Sequence, residues 1–169
     1  MRAGGADRTA ESHLPALPAG LLRVIRIAPT RDLAACHALR RTVFMDEQGF
    51  TEAEEFDGRD DGAVHLLAME DAAPVGTARL LQEGEIGRIG RICVLRSHRG
   101  TGLGAALVRA AIAELRAQPD IRIIRLSAQV QAMGFYEKLG FVAHGESYLD
   151  GTVPHRDMDL QMPARDTPA

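Results

Sequence analysis

The chain has 169 residues, 46% hydrophobic and 25% charged, with a net charge of −3, which suits one soluble domain with a core of its own. That charge balance gives no support to nucleic-acid binding, and no apolar run approaches the roughly 18 residues of a membrane span. Cys36 and Cys93 lie far apart without metal-ligand spacing, so no metal is expected and both read as buried thiols. With no hydrophobic signal core near the N-terminus, a reducing compartment and the cytoplasm are the expectation.

Residues 1–21, rich in Gly, Ala and Pro, read as a disordered arm; residues 22–162 form the predicted domain, and 163–169 a frayed tail. A short strand over 22–28 ends at Pro29. Thr30 then caps a predicted helix running to Glu47, with Leu33, Cys36, Val43 and Phe44 near one face. The acidic loop 46–61 sets Glu47, Glu52, Glu54, Glu55, Asp57, Asp60 and Asp61 against a single Arg59. Residues 64–70 and 75–82 read as a hairpin, and 86–95 as a central strand. Arg96, Arg99 and three glycines lead from that strand into an apolar helix over 102–117. A strand over 121–128, a short helix over 131–139 ended by Gly140, and two strands over 141–149 and 155–162 complete the chain. A hairpin-rich first half followed by a βαβαβ second half indicates an α/β domain with a mixed central sheet flanked by helices.

The junction at Arg99–Gly104 has the physics of an anion cradle. The first amides of a helix lack carbonyl partners, the helix dipole leaves partial positive charge there, and glycines admit a ligand close to the backbone. A phosphate group would accept several charge-assisted hydrogen bonds, each worth roughly 1.5–3 kcal/mol. A tight turn that needs glycine only for its dihedrals explains the same residues. A Walker loop is excluded because it needs Gly-Lys-Ser/Thr and the single lysine is Lys138. A dinucleotide fingerprint fits poorly: Ala105 stands at its third glycine, and Asp120 precedes the following strand instead of ending it.

Arg99-Gly100-Thr101-Gly102-Leu103-Gly104 resembles the Arg/Gln-x-x-Gly-x-Gly/Ala signature of the GCN5-related N-acetyltransferases (GNAT). Downstream, Gln129-x-x-Ala132-x-x-Phe135-Tyr136-Glu137-Lys138-Leu139-Gly140-Phe141 is similar to the second signature of that family. With residues 49–68 and 148–160, the chain resembles the ElaA-like branch in particular. The resemblance implies a GNAT fold with acetyl-CoA as acyl donor, no metal, and a small-molecule or peptide amine as acceptor. A homodimer is also implied, with no nucleic-acid or membrane partner. It further implies that Ile92, Cys93 and Val94 line the pantetheine arm and that Arg99, Gly100, Thr101, Gly102, Leu103 and Gly104 hold the pyrophosphate, with Gln129 and Ala132 nearby. An amide of the central strand would stabilise the oxyanion. Tyr136 matches the general acid that protonates the departing thiolate; taken alone it reads more readily as a core aromatic, and the surrounding motif reverses that preference.

The base is the least defined element. Arg88 stands where the family commonly has an acid, leaving Glu83, Glu85, His65, His144 and His155 as unranked candidates. Glu47, Glu55 and Asp57 would steer a cationic amine and His65 and His155 would shape its pocket, although a solvated loop explains those carboxylates without a ligand. A CoA-binding sensor without turnover is the rival reading.

Overall fold

In the computed structural model, which describes residues 23–163, seven strands form one mixed sheet. Its order is β1 (Ile25–Thr30), β2 (Val64–Glu70), β3 (Ala73–Glu83), β4 (Ile86–Val94), β5 (Ile123–Gln129), β7 (Val153–Gln161) and β6 (Val142–Asp150). All neighbours are antiparallel except β4 and β5, which run parallel. The connection between those two is α3 (Leu103–Ala117), the covered crossover that a parallel pair requires. The expected N-terminal arm and most of the expected tail lie outside the described residues.

The helices cover opposite faces. α3 presents Leu103, Leu107, Val108, Ala111, Ile112 and Leu115 to a core that includes Leu66, Leu80, Ile89, Ile124, Leu126 and Met158. Gly87 allows this contact, since a Cβ there would sit 2.8 Å from Leu115 Cδ2. On the other face α1 (Leu33–Arg40) buries Cys36 and Leu39 in a smaller cluster with Val43, Leu67 and Cys93.

Two local features depart from the sequence expectation. Asp32, not Thr30, caps α1: its side chain accepts from Ala35 N at 3.0 Å, while Thr30 remains in β1 opposite His65 and accepts from Asp32 N. Beyond Arg40 the helix widens into a π-helical segment, Arg41–Glu47, a form often found beside functional sites. A one-turn helix α2 (Glu52–Glu55) follows, closed by a reciprocal capping box between Thr51 and Glu54. The terminal hairpin turns at Gly151-Thr152, and α4 is only Met133–Glu137.

Candidate active site

The site begins where the sheet comes apart. β4 and β5 pair from Ile86↔Ile123 to Ile89↔Leu126 and no further, so Gly90–Val94 and Ser127–Gln129 diverge as a fork. The cause lies in β4. Gly90 to Cys93 span three steps opposite the two steps from Arg79 to Thr77, a bulge marked by a positive φ of 51° at Arg91. The bulge also inverts the strand's facing: Ile89 belongs to the α3 core, whereas Cys93 belongs to the α1 cluster and Ile92 and Val94 pack on the α3 side. Cys93 therefore turns its side chain away from the fork and offers only backbone to it; burial pushes its thiol up to about 12.

At the wide end of the fork, Leu95 leads through a single 3₁₀ turn into the glycine junction. The first backbone bond of α3 runs from Ala106 N to Gly102 O at 3.0 Å, which leaves the amides of Leu103, Gly104 and Ala105 without helical carbonyls. No side chain caps this end. Gly102 has φ 88° and Gly100 φ 75°, and a Cβ on either would meet nothing within 4 Å, so the cradle is open. Arg99 donates to Val94 O at 3.0 Å and to Glu47 Oε2 at 2.7 Å. Glu47 thus stands at the glycine turn beside Arg99, away from the cavity, and Thr101 is tied to His98 O. An uncapped helix end with open glycines and an unpaired strand edge beside it suits an elongated ligand that ends in phosphates.

A cavity of about 400 Å³ fills the fork. Ile92, Gln129, Ala132 and Tyr136 line it together, as do Glu55, Asp57 and His155. Tyr136 is half-buried against Phe135 and Phe141, both edge-on, and burial pushes its phenol up to about 12. Its hydroxyl makes no hydrogen bond among the described residues, leaving a protonated phenol available to a ligand. Gln129 Nε2 reaches across to Gln48 Oε1 at 2.9 Å.

The acidic loop is mostly neutralised from within. Arg40, only 1% exposed, donates to Glu55 Oε1 at 2.5 Å and to Asp60 Oδ1 at 2.9 Å. Arg79, 4% exposed, grips Asp57 with two bonds of 2.7 Å and adds a 2.9 Å bond to Asp60. Arg91 sits 3.3 Å from Glu55 and donates to the carbonyl oxygens of Glu54 and Glu55. Three guanidiniums thus face three carboxylates. Hydrogen bonds from Arg79 hold the Asp57 carboxyl well below the usual range. Burial opposes ionisation of Asp60, but bonds from Arg79 and Arg40 outweigh it and hold that group at about 2. His65 is buried behind this network with Nε2 3.0 Å from Asp60 O, and it does not reach the cavity. His155 does reach it, with Nδ1 bonded to Val153 O at 2.8 Å.

Among the proposed bases, Glu83 is clasped by Arg59 at 2.6 Å and Arg88 at 2.5 Å, and these bonds hold its pKa down. His144 lies 3.1 Å from Asp159, and Glu85 is exposed in the β3–β4 turn. Sequence reasoning passed over Ser127, Glu54 and Asp150, which line the cavity, and Arg40, which braces it. Arg40 did leave a signal: Cys36, Leu39, Arg40 and Val43 follow the helical period, so a charge interrupts the apolar stripe of α1.

Over residues 35–162 the chain matches the family described as the acetyltransferase (GNAT) domain. The chain belongs to the GNAT family. The GNAT fold is that of an acyl-CoA N-acyltransferase from Pseudomonas aeruginosa, 32% identical, TM-score 0.72, covering 80% of this chain and 99% of that one. Escherichia coli ElaA is 28% identical with the same TM-score and the same coverage. The GNAT relative YjcF of Bacillus subtilis, described as an uncharacterized N-acetyltransferase, is 34% identical over 121 residues, covering 71% of this chain and 86% of its own. GNAT proteins as a family are acyltransferases that use acyl-CoA donors.

Proposed function

We propose that this chain is an N-acetyltransferase that moves an acetyl group from acetyl-CoA to a primary amine by direct attack within a ternary complex. Residues 22–162 form its transferase domain, of the ElaA-like branch. The observation that carries the reading is the fork itself: an unpaired β4 edge leads from the uncapped glycine turn to a cavity where the Tyr136 phenol has no hydrogen-bond partner among the described residues. Arg99 and the amides of Gly100–Gly104 would hold the pyrophosphate, with Arg99 exchanging Glu47 for phosphate oxygens. The backbone of Ile92, Cys93 and Val94 would flank the pantetheine arm, Gln129 and Ala132 its far side, and a β4 amide would receive the developing oxyanion.

Tyr136 donates a proton to the leaving thiolate. A phenol near 12 is a weaker acid than the roughly 8.5 of a thiol, so the transfer is uphill as a free equilibrium, and the tyrosine acts by stabilising charge as the C–S bond breaks. The acceptor enters beside Phe44 and Phe50, where Glu54 and Asp150 are carboxylates without a cationic partner among the described residues. Glu55 and Asp57 act there as members of a neutral network, and His155 as a wall. A cytoplasmic location fits the absence, among the described residues, of a helix long and apolar enough to cross a membrane.

The test is thiol release from acetyl-CoA with a panel of polyamines, aminoglycosides, amino acids and N-terminal peptides. Amine-dependent release supports the transferase and identifies the acceptor class. Tight binding of acetyl-CoA without release for any amine supports the non-catalytic sensor instead.

A further inference from the structure

The attacking amine has to lose a proton, and Arg88, in the position expected for an acid, is occupied by Glu83. The far arm of the fork offers another route. Ser127 is the first β5 residue beyond the last β4 pair and lines the cavity. Directly opposite it on β7 is Asp157, and Tyr148 on β6 is opposite His155, itself opposite Gln129. Strand alternation therefore sets Ser127, Gln129, His155, Asp157 and Tyr148 on one face of the sheet. There Tyr148 Oη is hydrogen-bonded to Ser127 Oγ and donates to Asp157 Oδ1 at 2.7 Å, with the tyrosine ring stacked on His155.

The carboxylate gives this chain a direction. An ionised Asp157 can only accept, so the single proton of Tyr148 goes to it. The tyrosine oxygen then accepts from Ser127, whose own proton is thereby used. What Ser127 leaves for the cavity is a lone pair, the complement of an amine N–H. We propose that Ser127, Tyr148 and Asp157 form a proton relay that takes up the proton of the attacking amine at the mouth of the fork.

The ammonium of the acceptor first gives a proton to Ser127 Oγ as the serine proton passes to Tyr148 Oη and the tyrosine proton to Asp157, which frees the nitrogen lone pair. The amine then attacks, and as the C–N bond forms and the C–S bond breaks, Tyr136 protonates the sulfur and the nitrogen sheds its second proton to water. Asp157 then loses its proton to water, and Tyr136 regains one. Ser127 touches the acceptor; Tyr148 and Asp157 act through it. The charged surroundings are His155 over the tyrosine ring, Asp150 further along β6, His144 opposite Asp157, and Asp159 held by Arg125. This inference rests on the transferase reading above.

The experiment is a pH profile of acceptor kcat/KM for wild type, Ser127→Ala, Tyr148→Phe and Asp157→Asn with one lysine-like amine. Each variant is expected to lose roughly a hundredfold at pH 7, with the deficit closing as pH approaches the amine's own pKa of about 10.4 and the KM for acetyl-CoA unchanged. A deficit of the same size at every pH, or none, overturns the relay while leaving the transferase standing. A wild type that binds acetyl-CoA and acetylates no amine overturns both. A second readout does not need turnover: the chain has two tyrosines, so Tyr136→Phe leaves Tyr148 as the only phenol in an ultraviolet titration. Adding Asp157→Asn should lower its pKa, and an unchanged titration also overturns the relay.

Discussion

Tyr136 combines a phenol without a hydrogen-bond partner among the described residues and a pKa pushed by burial up to about 12. A general acid must be protonated to work, so the ionisation of Tyr136 removes no activity anywhere between pH 6 and 10. Tyr136→Phe should lower kcat by roughly a hundredfold with little change in the KM for acetyl-CoA, measured by steady-state thiol release. An equal rise in that KM with kcat preserved would show a packing residue instead. The glycine turn makes a separate demand on the backbone. Gly102 holds φ at 88° with open space where a side chain would stand. Gly102→Ala therefore introduces strain of roughly 1–2 kcal/mol without a clash. Acetyl-CoA affinity is expected to fall about tenfold in calorimetric titration if relaxation of that strain moves the amides off their ligand.

At the scale of elements, the Arg40–Glu55–Asp60–Arg79 network ties α1, the acidic loop and β3 together behind the cavity, and Arg91 links the β4 bulge to it. Asp60 titrates near 2 in the folded chain and near 3.9 when unfolded, so the unfolded state binds its proton first as pH falls. The stability it supplies, about 2 kcal/mol, is fully present above pH 4 and is lost as pH falls through 4 towards 2. Urea midpoints of wild type and Asp60→Asn should therefore converge between pH 6 and pH 3; a constant gap would remove the linkage. The opposite face depends on close packing. A Cβ on Gly76 would lie 2.9 Å from Leu107 Cδ1 and 3.1 Å from Cys93 O. Gly76→Ala should cost roughly 1–3 kcal/mol of unfolding free energy by urea denaturation, because α3 and the strand beyond the bulge must both give way.

At the largest scale, β6 is an outer strand whose other edge is unpaired among the described residues, with Val142 and Leu149 69% and 70% exposed. An exposed apolar edge of this kind would suit the expected homodimer, and it is not legible along the chain because a period-2 pattern does not say which strand ends a sheet. Light scattering is expected to give a dimer for wild type and a monomer for Leu149→Glu. A monomeric wild type would end that expectation.

The order of elements, the mixed sheet and the glycine junction were legible in sequence because each rests on local chemistry: alternation, helical periodicity, and glycines at a strand-to-helix turn. Tyr136, Gln129 and Ala132 were singled out by resemblance instead, as parts of one contiguous stretch similar to a family signature. What the acidic loop does was not legible. Eight acids against one arginine read as an open negative surface, yet Arg40, Arg79 and Arg91 arrive from three other elements and neutralise its centre. Glu47 and Glu55 look alike along the chain, but one pairs with Arg99 at the turn and the other is buried at 3% exposure. The inversion of β4 at Arg91 and the meeting of Ser127, Tyr148 and Asp157 were also decided by tertiary structure alone, because a bulge shows only against its partner strand and a cross-strand contact depends on register.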